Sequence, residues 1–304
     1  MIPFNEIRQK ALELGWDDAG ATEAKVSKED IDSWKKWLEA GHHGTMRYME
    51  NPLRGSPDKL FEGAKYAILF ITYYKQEKLS FETDKGVIAS YARGRDYHNV
   101  HRKRLKKMIS WLEERSGKTG IARGFSDSFP LLEKGLAVKA GLGWFGKNTL
   151  LIHRKFGTFT LLSGLLTSLD VEVAKAPDLR LPKCGSCTKC LDSCPTGALL
   201  SPFTLDAKRC LSYHLIESKE EIPEEIKKKN PGYAFGCDIC QDVCPHNWTK
   251  PLSEQKDFAP ERGMGSYLDY EKLEQVLEKP EILFGTPLQR RGARGLQENI
   301  GDLK

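Results

Sequence analysis

A chain of 304 residues with 39% hydrophobic content falls in the globular class and can form one large domain or two smaller ones. The N-terminus (Met1-Ile-Pro-Phe-Asn-Glu) has no basic stretch leading into an apolar one. The longest apolar-rich run, Tyr66–Tyr74, is about half a membrane span, so neither an export signal nor a spanning helix is expected and the expected location is cytoplasmic. The net charge is only +5, but Arg93–Lys107 holds seven Lys/Arg against one acidic residue, which suits either a solvated helix face or a nucleic acid or phosphorylated partner.

In chain order, Phe4, Ile7, Ala11 and Leu14 recur with a helical period, predicting a helix over 4–14. Lys65–Tyr74 and Val87–Ala92 read as buried strands rich in β-branched and aromatic residues. His98–Arg115 predicts a helix with Val100, Leu105, Met108, Ile109 and Leu112 on one side and Lys/Arg on the other. Leu131–Ala140 predicts a further helix ending at Gly141 and Gly143; Thr149–Ile152 and Thr158–Leu166 predict strands. The expected fold class is α+β: a mixed α/β domain over 1–172, then a short-turned, cysteine-organised unit over 173–252 entered through the proline-punctuated connector 174–183. A short helical C-terminal segment over 253–304 follows, with its helix near Tyr267–Leu277.

All eight cysteines lie between Cys184 and Cys244. The cytosol keeps thiols reduced, so this clustering argues for metal rather than disulfides. Cys184-x2-Cys187-x2-Cys190-x3-Cys194-Pro195 is the bacterial ferredoxin run, and Cys210 with Cys237-x2-Cys240-x3-Cys244-Pro245 is an interrupted second copy. In such runs the fourth cysteine crosses to the other cubane. One [4Fe–4S] cluster would therefore take Cys184, Cys187, Cys190 and Cys244, and the other Cys194, Cys210, Cys237 and Cys240, with none left over. Four-cysteine zinc is the alternative, but zinc sites do not need two x3-Cys-Pro endings. Two adjacent clusters form a wire for single electrons, and the ~180 residues ahead of it should hold the chemistry.

Gly141-Leu-Gly-Trp-Phe-Gly-Lys147-Asn148 superficially matches a dinucleotide fingerprint and a P-loop. Helical residues precede it, a strand follows, and Asn148 stands where a magnesium-binding Ser/Thr belongs. What survives is a glycine turn permitting close approach of a large cofactor.

Asn51-Pro-Leu-Arg54, Tyr91-Ala-Arg-Gly-Arg-Asp-Tyr-His98, Phe125-Ser-Asp-Ser-Phe-Pro-Leu-Leu-Glu-Lys134, Ala140–Ile152 and the two ferredoxin motifs together resemble the epoxyqueuosine reductase family, from about residue 5 to the C-terminus. The resemblance implies a cobalamin domain similar to that of reductive dehalogenases, fed by two [4Fe–4S] clusters. It also implies reduction of the epoxide of epoxyqueuosine, at the tRNA wobble position, to the alkene of queuosine. By resemblance Asp127 is the proton donor, a role for which burial beside a corrin would raise its pKa; the alternative is an N-cap before the Leu131 helix. Arg54 and Tyr97 match positions near corrin or substrate, and Gly143, Lys147, Asn148 and Ser212 are further candidate cofactor contacts. His98 and His101, at i and i+3, read as polar-face or phosphate-contacting residues rather than metal ligands, and His153, His214 and His246 receive the same reading. Familiar members of the family continue into HEAT-like repeats that help grip tRNA, whereas this sequence stops at Lys304, either as a short form or as a truncation; Arg102–Lys107 and Arg290–Arg294 could still contact phosphates. An external donor such as a flavodoxin or ferredoxin would supply the electrons. Two rival readings stand: a corrinoid reductase of a small molecule, and an electron-transfer module without chemistry of its own.

Overall fold

The structure, a computed structural model, describes residues 1–173 and 183–301, so the predicted connector lies outside the described residues except for Lys183. A four-stranded sheet in the order β1-β2-β7-β4 forms its centre: β1 Asp18–Glu23, β2 Tyr66–Tyr73, β4 Ala122–Phe125 and β7 Thr160–Thr167, all antiparallel to their neighbours. Seven of the eight residues of β2 are buried, as a strand covered on both faces requires. Helix α1 (Phe4–Glu13) and, later in the chain, α4 (Tyr97–Ser116) cover one face, with Ile7, Met108 and Leu112 meeting Ile68 and Phe70. On the other face, Leu136, Ala137 and Val138 of α5 (Glu133–Lys139) pack on Leu69 and Ile71.

Helix α4 begins where Asp96 accepts the His98 N–H and ends at Gly117, whose φ of 68° is the left-handed stop that favours glycine. Strand β1 (DAGATE) carries no bulky residue for a packing reason: a Cβ on Gly20 would lie 2.7 Å from the Ala140 carbonyl below it. Helix α2 (Lys28–Glu39), capped by Ser27, buries no residue fully and is followed by the single turn α3 (Pro57–Leu60).

A second sheet joins distant parts of the chain. Strand β3 (Lys85–Ile88) lies between β10 (Tyr233–Phe235), to which it is parallel, and β11 (Tyr267–Asp269), to which it is antiparallel. One strand comes from each of the segments 1–172, 173–252 and 253–304, and α11 (Tyr270–Glu278) and α12 (Gly292–Ile300) close the core beneath it through Leu273, Val276, Leu296 and Ile300. The two hairpins are β5-β6 (Gly143–Phe145, Leu151–His153) and β8-β9 (Leu199–Ser201, Thr204–Leu205). The cysteine region contributes four-residue turns: α6 (Lys189–Asp192) and α9 (Ile239–Asp242) inside the two motifs, α8 (Glu224–Lys227) between them and α10 (Pro245–Trp248) after them. Helix α7 (Leu211–Ile216) follows Cys210. No helix among the described residues is long and apolar enough to cross a membrane.

Candidate functional site

The eight cysteines are all free thiols, and their electrostatic neighbours sort them into two groups. Burial, with smaller contributions from Cys184, Cys190 and Cys187 across some 55 residues of chain, pushes the Cys244 thiol up to about 11. The Cys240 thiol is raised well above its ordinary value by burial, then by Cys237, Cys210 and Cys194. These sets are the two that the crossing pattern of the sequence assigns to two clusters. Four thiols crowded beside one another, most of them partly buried, are costly as thiolates, and iron bound among them would displace their protons and offset the repulsion. The buried Trp144 indole packs against Cys244 and Cys184 and its N–H has no partner, leaving a donor beside the first group for a cluster sulfur.

The second motif is moored to the central sheet. Gln241 donates to the Tyr74 hydroxyl at 3.3 Å and Thr158 donates to Gln241 at 3.1 Å. Asn247 donates to Thr158 at 2.9 Å and to the Gln241 carbonyl at 2.7 Å. Asp238, beside Cys237, accepts from the Ser90 N–H at 2.7 Å. The pair Lys147-Asn148 belongs to this mooring. Lys147 donates to the carbonyls of Gly185 and Cys187 at 2.7 and 2.9 Å, and buried Asn148 donates to the Cys240 carbonyl at 3.4 Å. The space left by the absent side chain of Gly143 is filled by its own hairpin, because a Cβ there would meet the Ile152 carbonyl at 2.2 Å. In the fold this glycine segment permits strand pairing and braces the cysteine loops. Ser212 follows Cys210 and its backbone N–H is directed at the Cys210 sulfur.

Asp127 stands just past β4 with φ +46°, a left-handed conformation that an Asp tolerates better than most side chains. It is not an N-cap, since α5 starts at Glu133 behind Leu132. Its Oδ2 accepts from His98 Nε2 at 3.3 Å, while His98 Nδ1 donates to Asp96 Oδ1 at 2.8 Å, making a carboxylate–imidazole–carboxylate chain at the start of α4. Tyr97 stacks on the His98 ring at 4.1 Å between centroids and directs its hydroxyl at Asp127. Burial opposes charge on both partners, but the hydrogen bonds and charges of Asp127 and Asp96 lift His98 to about 9. The His98 hydrogen bond and charge, with smaller help from Tyr97 and Arg290, hold the Asp127 carboxyl below the ordinary carboxylate range. The expected direction of the Asp127 shift is therefore reversed. The proton near neutrality rests on His98, and 62% of the Asp127 side chain remains open on its other side.

Around this centre, buried Arg54 donates to the Tyr48 carbonyl at 3.2 Å, and the Arg290 guanidinium lies 5.6 Å from the Tyr48 ring while donating to Glu217 at 2.6 Å. The Glu133 carboxyl is raised to about 7, chiefly by burial, with the charge of Asp127 adding to it. Thr45 on the loop before Tyr48 hydrogen-bonds the Tyr213 hydroxyl through both its N–H and its side chain, which ties this centre to the residues just after Cys210. In that loop His42 Nδ1 faces Asp206 Oδ1 at 3.8 Å, and His43 Nδ1 is buried with no hydrogen-bond partner among the described residues.

Four histidine readings change: His153 and His214 are buried, paired with Asp18 at 3.2 Å and the Lys208 carbonyl at 2.8 Å, and His101 and His98 differ as well. His101 is not on a polar face: it is fully buried, bonded to Thr72 at 3.0 Å and Ser126 at 2.9 Å, and burial lowers it to about 3, so it is neutral. His98 faces a carboxylate rather than a phosphate. The Arg290–Arg294 patch is also divided, since Arg291 is buried and bound to the Ser218 carbonyl, Asn299 and Glu298.

Comparison with known proteins bears on this arrangement. The model described as "4Fe-4S double cluster binding domain" matches residues 183–247, and that described as "Epoxyqueuosine reductase QueG, DUF1730" matches residues 54–128, which include Arg54, Tyr97, His98 and Asp127. An epoxyqueuosine reductase of Cyclobacterium marinum is 39% identical over 302 residues, covering 98% of this chain and 96% of that protein. The chain belongs to the epoxyqueuosine reductase family. It is thus an oxidoreductase with a double [4Fe–4S] domain. The Pseudomonas aeruginosa epoxyqueuosine reductase is 37% identical, over 97% of this chain and 82% of its own length. A crystal structure of epoxyqueuosine reductase with an epoxyqueuosine-modified tRNA-Tyr stem loop superposes with a TM-score of 0.82 at 26% identity, over 99% of this chain and 81% of that one. The Bacillus subtilis enzyme, with an aspartate-bearing catalytic loop swung out of its active site, superposes at 0.77 and 26% identity, with the same coverage.

Proposed function

We propose that this protein reduces epoxyqueuosine in tRNA to queuosine, taking two electrons and two protons to turn the epoxide into an alkene and water. The observation that carries the reading is the pairing of two four-thiol nests with an acid–base centre, Asp127–His98, in a chain of this family. The relative crystallised with a modified stem loop supports tRNA as the macromolecular substrate.

Cobalamin is the resident cofactor in this reading, and when bound it supplies the strongly reducing, nucleophilic chemistry that opens the ring. The residues present suit such a group. A corrin rim bears many amides, and the loop tied to Tyr213 offers the Nδ1 atom of His43, while the centre beyond it offers Tyr48, Tyr97 and the Glu133 carboxyl. Arg54, its guanidinium directed at the Tyr48 carbonyl, sets the backbone there. Cys184, Cys187, Cys190 and Cys244 would hold one cluster, and Cys194, Cys210, Cys237 and Cys240 the other.

The open side of Asp127 is where the epoxide oxygen would lie. As that oxygen gains charge, Asp127 relays to it the proton held on His98, whose positive charge stabilises the Asp127 carboxylate until the transfer. Asp96 fixes the imidazole so that Nε2 faces Asp127.

The test is anaerobic. The holoenzyme, reconstituted with iron, sulfide and cobalamin, is incubated with epoxyqueuosine-containing tRNA and a chemical reductant, and digested nucleosides are analysed by mass spectrometry. Loss of one oxygen from the modified base supports the reading. An unchanged nucleoside with full iron and corrinoid occupancy refutes it.

A further inference from the structure

We propose that electrons enter this protein through a lysine-flanked face centred on Trp248, and that the face docks an acidic one-electron carrier protein. The inference rests on the assignment of Cys184, Cys187, Cys190 and Cys244 to one cluster.

The two thiol nests differ in depth. In the first motif Gly185, Ser186, Thr188 and Lys189, which alternate with the cysteines, are exposed. In the second, Asp238 and Gln241 are buried and tied to Ser90 just past β3 and to Tyr74 and Thr158 at the ends of β2 and β7. A macromolecular donor can therefore approach the first nest from solvent and not the second, and electrons then pass inward toward Asp127.

What surrounds the first nest is not an ordinary solvated surface. Trp248, four residues past Cys244, is 58% exposed, and the Lys189 ammonium lies 4.4 Å from the centre of its ring. Lys183, directly before Cys184, lies 5.5 Å from the ring of Trp144, which packs on Cys184 and Cys244. Exposed Leu252 extends the apolar area. The nearby acidic residue of the first motif, Asp192, is engaged by the Thr188 hydroxyl at 2.7 Å. An open tryptophan carrying one stacked lysine is suited to anchor an interface, tryptophan being enriched in such contacts, while Lys189 and Lys183 supply the positive charge that steers a partner to it. Small, charge-steered contacts are also the class that transient electron-transfer complexes use. The complementary partner is thus acidic, and a small chemical reductant has no need of the face.

The experiment uses the holoenzyme and two donors, a photoreduced acidic flavodoxin and dithionite, with cluster bleaching followed by stopped flow. For the wild type, the flavodoxin rate constant should fall about tenfold between roughly 50 and 300 mM salt, whereas the dithionite rate should change little. Lys183→Glu/Lys189→Glu should slow flavodoxin about tenfold or more, and Trp248→Ala several-fold, with dithionite reduction and iron content kept. Flavodoxin rates insensitive to both salt and charge reversal overturn the docking face. Equal losses with both donors at full iron content also overturn it, because they would place these residues in cluster chemistry rather than docking. Failure of the underlying assignment looks different: fewer than about eight irons per wild-type chain.

Discussion

The cysteine nests and the Asp127 centre are built by opposite strategies. The first nest takes three thiols from the seven residues Cys184–Cys190 and one from elsewhere, and the second takes two from the four residues Cys237–Cys240 and two from elsewhere, with four-residue turns in both motifs. The Asp127 centre gathers single side chains from the start of α4, the end of β4, the loop before Arg54 and the C-terminal Arg290, and holds them with hydrogen bonds between segments. A locally coded nest depends on the ligands and their metal. A centre assembled over long range depends on the fold being correct everywhere, and its protonation is set by partners that no local stretch contains.

That contrast can be broken or sharpened by substitution. The largest effect is expected at a nest: Cys240→Ser should lower iron from about eight to about four per chain and abolish turnover, and unchanged iron would remove Cys240 from the ligand set. Next, Asp127→Asn keeps a side chain suited to φ +46° and removes the acid, so turnover should drop about 10²–10⁴-fold with iron and melting temperature retained. Undiminished single-turnover rates would exclude Asp127 from proton transfer.

His98→Gln should cost about tenfold in turnover and change the pH profile. In the fold His98 is raised to about 9 from an ordinary 6.5. The wild-type rate should therefore decline as pH rises through about 9, and the variant should lack that limb. The same shift sets a stability window: the charged imidazole's contribution is complete below about 6.5 and disappears as pH rises through about 9, so the melting-temperature gap between the two proteins should close over that range. A constant gap from pH 6 to 10 would contradict the ion-pair chain. Smallest for catalysis is Gly143→Ala, which should cost about 1–3 kcal/mol of stability through the clash with Ile152 while leaving cobalamin and iron per folded chain unchanged. Selective loss of corrinoid would return Gly143 to a cofactor role.

Much of the fold was legible where a pattern is local. The helix of α1, the apolar run of β2 and the one-sided α4 follow from periodicity, and the structure has them within a few residues. Strand β3 ends at Ile88, short of the expected Ala92, because Ser90–Ala92 coils into a 3-10 turn as Ser90 bonds Asp238. Strand β1 carried no signal, since its alanines and glycine are chosen for closeness to α5 rather than for strand propensity. Helix α2 passed unread, its apolar positions only half-buried.

By itself the sequence determined the two ferredoxin-type motifs and the family, because short covalent spacing and long motifs carry that information directly. Only the tertiary structure decided that His98 belongs to Asp127 and His101 to the core, although the two lie one helical turn apart. It also decided that Arg290 reaches the Asp127 centre while Arg291 is buried against Ser218. Helical periodicity tells which residues share a face, but the charge a residue carries depends on what the opposite face of its surroundings supplies. At Asp127 that is an imidazolium, strong enough to outweigh burial and reverse the shift that burial alone would produce.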